Sequence, residues 1–415
     1  MKIAIISSGF LPVVDGVTVT LSNRLKVLSQ QGHQVLLLCP DYRPIASIYP
    51  DWHEYVGAIL PGVRVVSLAS EPFMGLEFER NPTRASYRLV LQELDAFQPD
   101  IIHVDEPDRL SLSLFNAPGV DFAKQHQIPC VAFFHTNFVD YIEDYFNLPP
   151  VAIALAQWGS KRIISRVFNA YDATLVSSRV TSENVTHMGI RNAICDDFLG
   201  VDLTRFNVEK RDDRFFEKTY GIPDVDRRVK LIFLGRLTAD KGWAFTLDAW
   251  STLATRSEFD LDRVAIIVAG EGDRRSEIET RFRQLGIHAR CLGRVPPDAV
   301  PDLLINSDIH ITASEKETRG LTLLEAFAAG IPVIAPRAGG VVETVQEGWN
   351  GFLFTPKDVD DFIQTLHRLI HEPDLRRTMG HRGREWVDSM SWTRAVDRLL
   401  AVWQSQIVAI STPLK

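Results

Sequence analysis

The chain alternates short apolar runs with longer amphipathic spacers, and it does so twice. KIAIIS, HQVLLLC, VRVVSL, DIIHVD, CVAFFHT and ATLVSS fill the first half; VKLIFLG, VAIIVAG, ARCLG, IHITAS and PVIAP fill the second. These runs are apolar at odd and even positions alike. A strand of that kind has no face to give to water, so it belongs in a parallel sheet covered by helices on both sides. Strand–helix alternation of this type winds right-handed βαβ units into doubly wound sheets. The interval from about 200 to 228 is charged and punctuated by Gly and Pro, and it reads as a linker with a peripheral helix. At 415 residues the chain has the length for two domains. The expectation is an α/β protein of two Rossmann-like doubly wound domains facing across a cleft. The predicted bounds are 1–198, 199–378, and a tail of helices, 379–415, packing back toward the first domain. Trp392, Leu399, Leu400 and Trp403 give that tail an apolar stripe.

In open α/β sheets ligands bind beyond the carboxyl ends of the strands. Two stretches place chemistry there. In FLGRLTADKG, a strand runs out at Leu234, Gly235 allows close backbone approach, and Arg236 and Lys241 follow in a loop that Gly242 closes. A planar donor fork and a compact ammonium suit a diphosphate; the alternative is a pair of solvated surface cations. In IHITASEKETRGLTLLEAFAAG, a strand leads through a loop into a helix ended by Gly330. Backbone N–H groups of Arg319, Gly320, Leu321 and Thr322 stand at the helix start, where an anion is favoured. Glu317 precedes the helix and can reach a ligand. Glu325 lies about a turn inside, where a carboxylate can accept from a ribose diol. The alternative for Glu325 is a partly buried charge paired with a nearby cation.

Several classes are excluded or disfavoured. A net charge of −8 argues against broad nucleic-acid binding. Cys39, Cys130, Cys195 and Cys291 show no CxxC spacing, so neither zinc nor disulfides are expected and a reducing, cytoplasmic compartment fits. MKIAIISSGF reads as a first strand rather than a signal peptide. No apolar run reaches the ~18–20 residues of a membrane span, so a membrane encounter would be peripheral. SSGFLPVVDG does not supply the GxGxxG of a dinucleotide oxidoreductase. Asp105, Glu106 and Asp108 of VDEPD form a possible metal cluster, but a solvated loop is the favoured reading, and no metal or cofactor is expected.

FLGRL…DKG, the paired Glu317 and Glu325, AAGIPVIAPRAGG, GVDLTRF, AGEGD, GWNGFLF and FLPVVDGV together resemble the family-4 retaining glycosyltransferases of GT-B fold. The resemblance spans nearly the whole chain. It implies an acceptor-binding first domain and a second domain holding a nucleotide sugar. Arg236 and Lys241 look like donor diphosphate ligands, Glu325 like the ribose ligand, and Glu317 like a ligand of the donor sugar's hydroxyls. The backbone of Thr318, Arg319, Gly320, Leu321 and Thr322 would touch sugar and phosphate. Gly16 resembles the glycine that approaches the phosphates from the first domain, and His135 the active-site histidine. Arg294 and Val295 match a loop beside the base. The nucleotide sugar is then a substrate, and front-face displacement is the implied route. Nucleotide-sugar epimerases lack these paired motifs. A non-catalytic sugar-nucleotide binder would be free to lose Arg236, Lys241 or Glu317, and all three are present.

The acceptor is the least constrained part. FFHTNFVDYIEDYF and SEKETRGLTLLEAFAAG are similar to stretches of glycolipid synthases of the sulfoquinovosyl-diacylglycerol and galactolipid kind. Digalactosyldiacylglycerol formation from UDP-galactose is the favoured version. Sulfoquinovosyl transfer and a soluble or polysaccharide acceptor are the alternatives. Arg80, Arg84 and Arg88 fall four apart, on one face if helical. VAIALAQWGSKRIISRVF combines apolar residues with Lys161, Arg162 and Arg166; such a stretch can lie on an anionic lipid surface or be a core helix with a basic edge. DYRPIASIYPDWHEYVG matches none of these patterns.

Overall fold

In a computed structural model of the chain, residues 1–73, 76–114, 117–139, 143, 149–257 and 259–411 are described. They form two compact units. The first takes residues 1–142, 148–199 and 392–415, and the second takes 143–147 and 200–391.

The first unit is built on a sheet of strands β1 (Lys2–Ser7), β2 (Gln34–Pro40), β3 (Gly57–Leu60), β4 (Val63–Leu68), β7 (Ile101–Asp105), β8 (Cys130–Phe133), β9 (Ala173–Val176) and β10 (Ala193–Cys195). Their order is β10-β9-β8-β7-β1-β2-β4-β3, parallel except for β3 against β4. Strands β5 (Ser70–Phe73) and β6 (Leu76–Pro82) form a separate antiparallel pair. The second unit carries β11 (Val229–Leu234), β12 (Val264–Ala269), β13 (Ala289–Gly293), β14 (Ile309–Ile311), β15 (Val333–Pro336) and β16 (Gly351–Phe354), all parallel, in the order β13-β12-β11-β14-β15-β16. Most of the runs that were apolar on both faces are strands that the fold covers on both faces, whereas β4 and β13 keep partly exposed positions. Every residue of β7, β8, β12, β15 and β16 is buried.

The C-terminal region divides between the units. Helix Pro373–Val387 stays in the second and packs on helix Leu321–Ala328, where Gly380 lies so close to the Gly330 carbonyl that a Cβ would come within 2.0 Å. The chain returns to the first unit at Trp392. There helix Trp392–Ser411 packs on helix Gly16–Gln30 and buries Trp403 with its ring 5.3 Å from that of His103.

Two expectations in the first unit are corrected. Arg80, Arg84 and Arg88 do not share a helix face. Arg80 is in β6 and is buried, its guanidinium donating to the hydroxyl and carbonyl of Ser70, and only Arg88 lies in helix Tyr87–Phe97. VDEPD is not a solvated loop, since Asp105, Glu106 and Asp108 are all buried. The unplaced 41–57 stretch folds into two short turns around its own apolar cluster of Tyr42, Ile45 and Tyr49. Phe10 N donates to the Tyr42 hydroxyl, tying that cluster to the end of β1.

Candidate active site

In the second unit, the carboxyl ends of β11, β12 and β14 meet backbone to backbone. Gly270, just past β12, has φ +150°, and a Cβ there would stand 1.8 Å from the Gly235 carbonyl oxygen. Only glycine fits a contact of that kind. Gly242 has φ +72°, and a Cβ on it would meet the Ala313 carbonyl oxygen at 2.2 Å. The Ser314 hydroxyl donates to the Asp240 carbonyl at 3.2 Å. The loop after β11 is thereby pressed onto the loop after β14.

This apposition joins residues 76 positions apart. Lys241 Nζ donates to Glu317 Oε1 at 2.6 Å. The Asp240 carboxylate is wholly buried between two cations, with Arg236 at 3.6 Å and Lys241 at 3.9 Å. Arg236, Lys241 and Glu317 keep part of their side chains in solvent, so the two cations are neither a free surface pair nor sealed in the core. Burial raises the Glu317 pKa, but the charge and hydrogen bond of Lys241 outweigh it and hold the carboxyl below its usual value.

A second fastening comes from the Gly339–Gly340 turn. Gly340 N donates to the Glu317 carbonyl at 2.8 Å, and a Cβ on Gly340 would reach within 1.9 Å of the Thr318 carbonyl oxygen. The Thr344 hydroxyl donates to the Arg319 carbonyl, and the Arg319 guanidinium is buried 3.8 Å from Glu343. Arg319 therefore anchors the loop with its side chain. Gly320, at φ +80°, starts helix Leu321–Ala328 with no side-chain cap on the first turn.

Along that helix, the Thr322 hydroxyl is 3.2 Å from Nε2 of His310, whose Nδ1 lies 3.2 Å from the Ile232 carbonyl. Burial lowers the His310 pKa to about 4, so the ring is neutral, with Nδ1–H donating to Ile232 and Nε2 accepting from Thr322. Glu325 is half-buried and, among the described residues, its carboxylate makes no hydrogen bond or ion pair. The paired-cation alternative for it is thus corrected. Burial pushes its pKa up to about 7, opposed by the more distant charge of Arg205. Arg294 and Val295 follow β13, two strands along the sheet from β11, with Arg294 exposed.

Gly16 and His135 belong to the first unit. Gly16 opens helix Gly16–Gln30, which Asp15 and Thr18 cap reciprocally. A Cβ on Gly16 would meet nothing within 4 Å. His135 follows β8, its ring stacked on Phe133 and its Nε2 2.6 Å from Asp105 Oδ1. Asp105, at the end of β7, also holds His103 Nε2 at 3.1 Å and Arg24 Nη1 at 3.3 Å. Burial raises the Asp105 pKa, yet Arg24, His103 and His135 together drive it well below the usual carboxylate range. His103 is pulled to about 4 by burial, against the attraction of Asp105. The neighbouring Glu106, at φ +53°, binds the hydroxyls of Ser8 and Thr136. Asp108 is pushed up to about 8, by burial first and the Glu106 charge second. Of the HTNFVDYI stretch, residues 140–142 lie outside the described residues. Among the described residues no three His, Cys, Asp or Glu side chains are grouped to hold a metal ion.

Sequence reasoning did not single out Asp240, His310, Ser314 or Arg24. Asp240 sits one position before Lys241 inside the quoted motif, but nothing local marks it as buried.

Residues 14–205 match the family Glycosyltransferase Family 4, and residues 218–386 match Glycosyl transferases group 1. The chain is 30% identical over 422 residues to a GDP-mannose-dependent alpha-mannosyltransferase of Corynebacterium glutamicum, covering 99% of this chain and 90% of that protein. It is 28% identical over 394 residues to the sulfoquinovosyl transferase SQD2 of Arabidopsis thaliana, covering 93% and 70%. Among solved structures, sucrose-phosphate synthase from Thermosynechococcus elongatus superposes with a TM-score of 0.77 at 18% identity, over 98% of this chain and 99% of that one, a likeness of GT-B fold.

Proposed function

Since the chain belongs to the family-4, group 1 glycosyltransferases, we propose that it is a retaining hexosyltransferase acting from a nucleotide-diphosphate hexose onto a glycerolipid. The observation that carries the reading is the cluster of Arg236, Asp240, Lys241 and Glu317 at the carboxyl ends of β11 and β14. Lys241 and Arg236 bind the diphosphate, with Asp240 setting the position of both. Glu317 accepts from hydroxyls of the donor sugar, and its bond to Lys241 couples sugar position to diphosphate position. The start of helix Leu321–Ala328 supplies backbone N–H groups to the phosphate, and Glu325 accepts from the ribose diol. Arg294 and Val295 lie beside the base. The proposed contacts of the first unit are Gly16, where neither a positive φ nor packing demands glycine, and His135, fixed by Asp105 with its Nε2–H donated.

In the transfer, the bond from the anomeric carbon to the diphosphate oxygen breaks while the acceptor oxygen bonds to the same face. The acceptor proton passes to the departing phosphate. Negative charge grows on the leaving diphosphate, where each preorganised donor contributes roughly 3–4 kcal/mol of transition-state stabilisation. No cofactor takes part in this scheme, since the nucleotide sugar is itself a substrate.

The lipid acceptor is supported by the likeness of the 133–146 stretch to glycolipid synthases and by the likeness to a sulfoquinovosyl transferase. The leading version is transfer from UDP-galactose to monogalactosyldiacylglycerol, at the cytoplasmic face of a membrane. A second reading, with GDP-mannose as donor, is favoured by the 30% identity to a GDP-mannose-dependent enzyme. The test offers radiolabelled UDP-galactose, UDP-glucose and GDP-mannose separately to the purified chain with vesicles containing monogalactosyldiacylglycerol or diacylglycerol. Label from UDP-galactose in a slower-migrating glycolipid supports the leading version. Label only from GDP-mannose moves the donor, and label in no lipid from any donor overturns the lipid acceptor.

A further inference from the structure

Helix Pro150–Phe168 lies in the first unit, packs on helix Pro107–Leu114, and contains none of the site residues assigned above. Phe168 is its one fully buried residue, and Ile164 and Val167 turn with it toward the core. The other side is exposed in an unusual way. Val151 is 82% exposed, Leu155 66%, Trp158 56% and Ile163 61%. Scattered exposed apolar residues need no explanation, but these fall on one helix at deliberate spacing. Val151, Leu155, Trp158, Arg162 and Arg166 follow one another by four, three, four and four residues, which keeps them on one face. The first half of that face is apolar and the second half is basic.

The charge distribution is equally one-sided. Residues 1–200 hold 15 Lys and Arg against 21 Asp and Glu, yet 150–168 contains Lys161, Arg162 and Arg166 and not one acidic residue. The Arg162 guanidinium sits 4.5 Å over the Trp158 ring. Asn169, just past the helix, donates to the Gly189 carbonyl and accepts from Arg191 N. Arg191 is thereby brought beside Arg162, Ser165 and Arg166, and these line a groove of about 830 Å³.

We propose that this face docks the chain on an anionic phospholipid membrane. Val151, Leu155 and Trp158 enter the interface, while Arg162, Arg166 and Arg191 bind lipid phosphates. An apolar stripe beside a basic one is the pattern of a helix lying in the plane of the interface. No helix among the described residues is long and apolar enough to cross a membrane. Trp158 suits the boundary, having an apolar body and a polar N–H. A second protein would fit the apolar half, but three arginines around an open groove with no acidic residue in the helix are complementary to phosphate. The proposal deepens the lipid-acceptor reading, and rests on it for why a transferase should hold to a membrane.

The test is flotation of the purified full chain with vesicles of phosphatidylcholine alone and with vesicles of phosphatidylcholine mixed with phosphatidylglycerol. The chain is expected to float with the anionic vesicles and not with the neutral ones. Each basic residue near such a surface contributes about fivefold in affinity. The double variant Arg162→Gln/Arg166→Gln is therefore expected to bind about 25-fold more weakly. Leu155→Asn/Trp158→Asn is expected to release the chain at any salt concentration. Nucleotide binding by each variant, read by calorimetry, checks that it is folded. No flotation of the wild type, equal flotation with neutral vesicles, or wild-type binding by both folded variants would each overturn the proposal. Because flotation needs neither donor nor acceptor sugar, its failure leaves the transfer reaction standing. Loss of transfer with intact flotation would instead count against the proposed reaction.

Discussion

Replacing Gly340 by alanine adds one methyl group at a place where no side chain of the proposed donor site is touched. Its φ is an ordinary −72°, so the backbone itself tolerates alanine. The steric cost is local. The new Cβ would lie 1.9 Å from the Thr318 carbonyl oxygen and 2.5 Å from its carbon. Real Cβ atoms keep at least 3.0 Å from such an oxygen, so the 317–320 segment must move by about 1 Å. That movement breaks the 2.8 Å bond from Gly340 N to the Glu317 carbonyl. Overpacking costs about 1–3 kcal/mol and the lost hydrogen bond about 1. A net destabilisation of about 2–4 kcal/mol corresponds to roughly 4–16 °C in the melting temperature of a unit this size. A displacement of about 1 Å in a positioning element costs about 100-fold in turnover. Calorimetric melting and steady-state transfer rates measure the two effects. Gly16→Ala is the control for stability, since its Cβ meets nothing within 4 Å. Gly340→Ala with a wild-type melting temperature and a rate within twofold of wild type would refute the claim that this turn holds Glu317 in place.

Lys241→Met and Arg236→Ala are expected to lower turnover by about 100-fold or more with smaller changes in donor affinity; near-normal rates in either would sink the diphosphate assignment. Glu325 has a folded pKa of about 7 against an ordinary 4.5, so the folded state holds the extra proton. Its effect is thus a loss of stability as pH rises from about 4.5 to 7, complete above that, and worth up to about 3 kcal/mol. Glu325→Gln is expected to flatten that slope in thermal melts. It is also expected to abolish the rise in donor affinity between pH 6 and 8 that calorimetry should show for the wild type. An unchanged slope would remove Glu325 as its source. Asp105→Ala leaves the Arg24 guanidinium buried without its carboxylate, and urea unfolding should show a loss of about 3–5 kcal/mol in the first unit; a loss under 1 kcal/mol would mean Arg24 finds another partner.

Much of the fold was legible because parallel strands covered on both faces advertise themselves. KIAIIS, VAIIVAG and PVIAP became β1, β12 and β15 with no polar face to hide, and DIIHVD became β7, which buries His103 and Asp105 together on one face. The pair β5 and β6 and the short edge strand β10 were not, since SEPF and AIC carry neither alternation nor length. Arginines spaced by four looked like a helix face because spacing is blind to strand β6, which ends at Pro82 between Arg80 and Arg84. The VDEPD carboxylates looked solvated because their partners are distant in sequence. Arg24 lies 81 residues before Asp105, and Ser8 lies 98 before Glu106. At the proposed donor site, Arg236, Lys241, Glu317 and Glu325 stood out as charged residues among glycines at strand ends. What the sequence could not display was Asp240 between the two cations, or the four close glycine contacts, at Gly242, Gly270, Gly339 and Gly340, that bring the loops together. Those depend on where backbone meets backbone, and no residue type announces it.

The central claim is that the cluster around Lys241 drives transfer of a hexose with its anomeric configuration kept. Proton NMR of the reaction in progress, with an α-linked nucleotide hexose and the wild type beside Lys241→Met, tests both halves at once. The account predicts that the first glycoside formed is α-linked and that Lys241→Met forms it at least about 100-fold more slowly. A β-linked first product, or an α-linked product formed as fast by Lys241→Met, would contradict it.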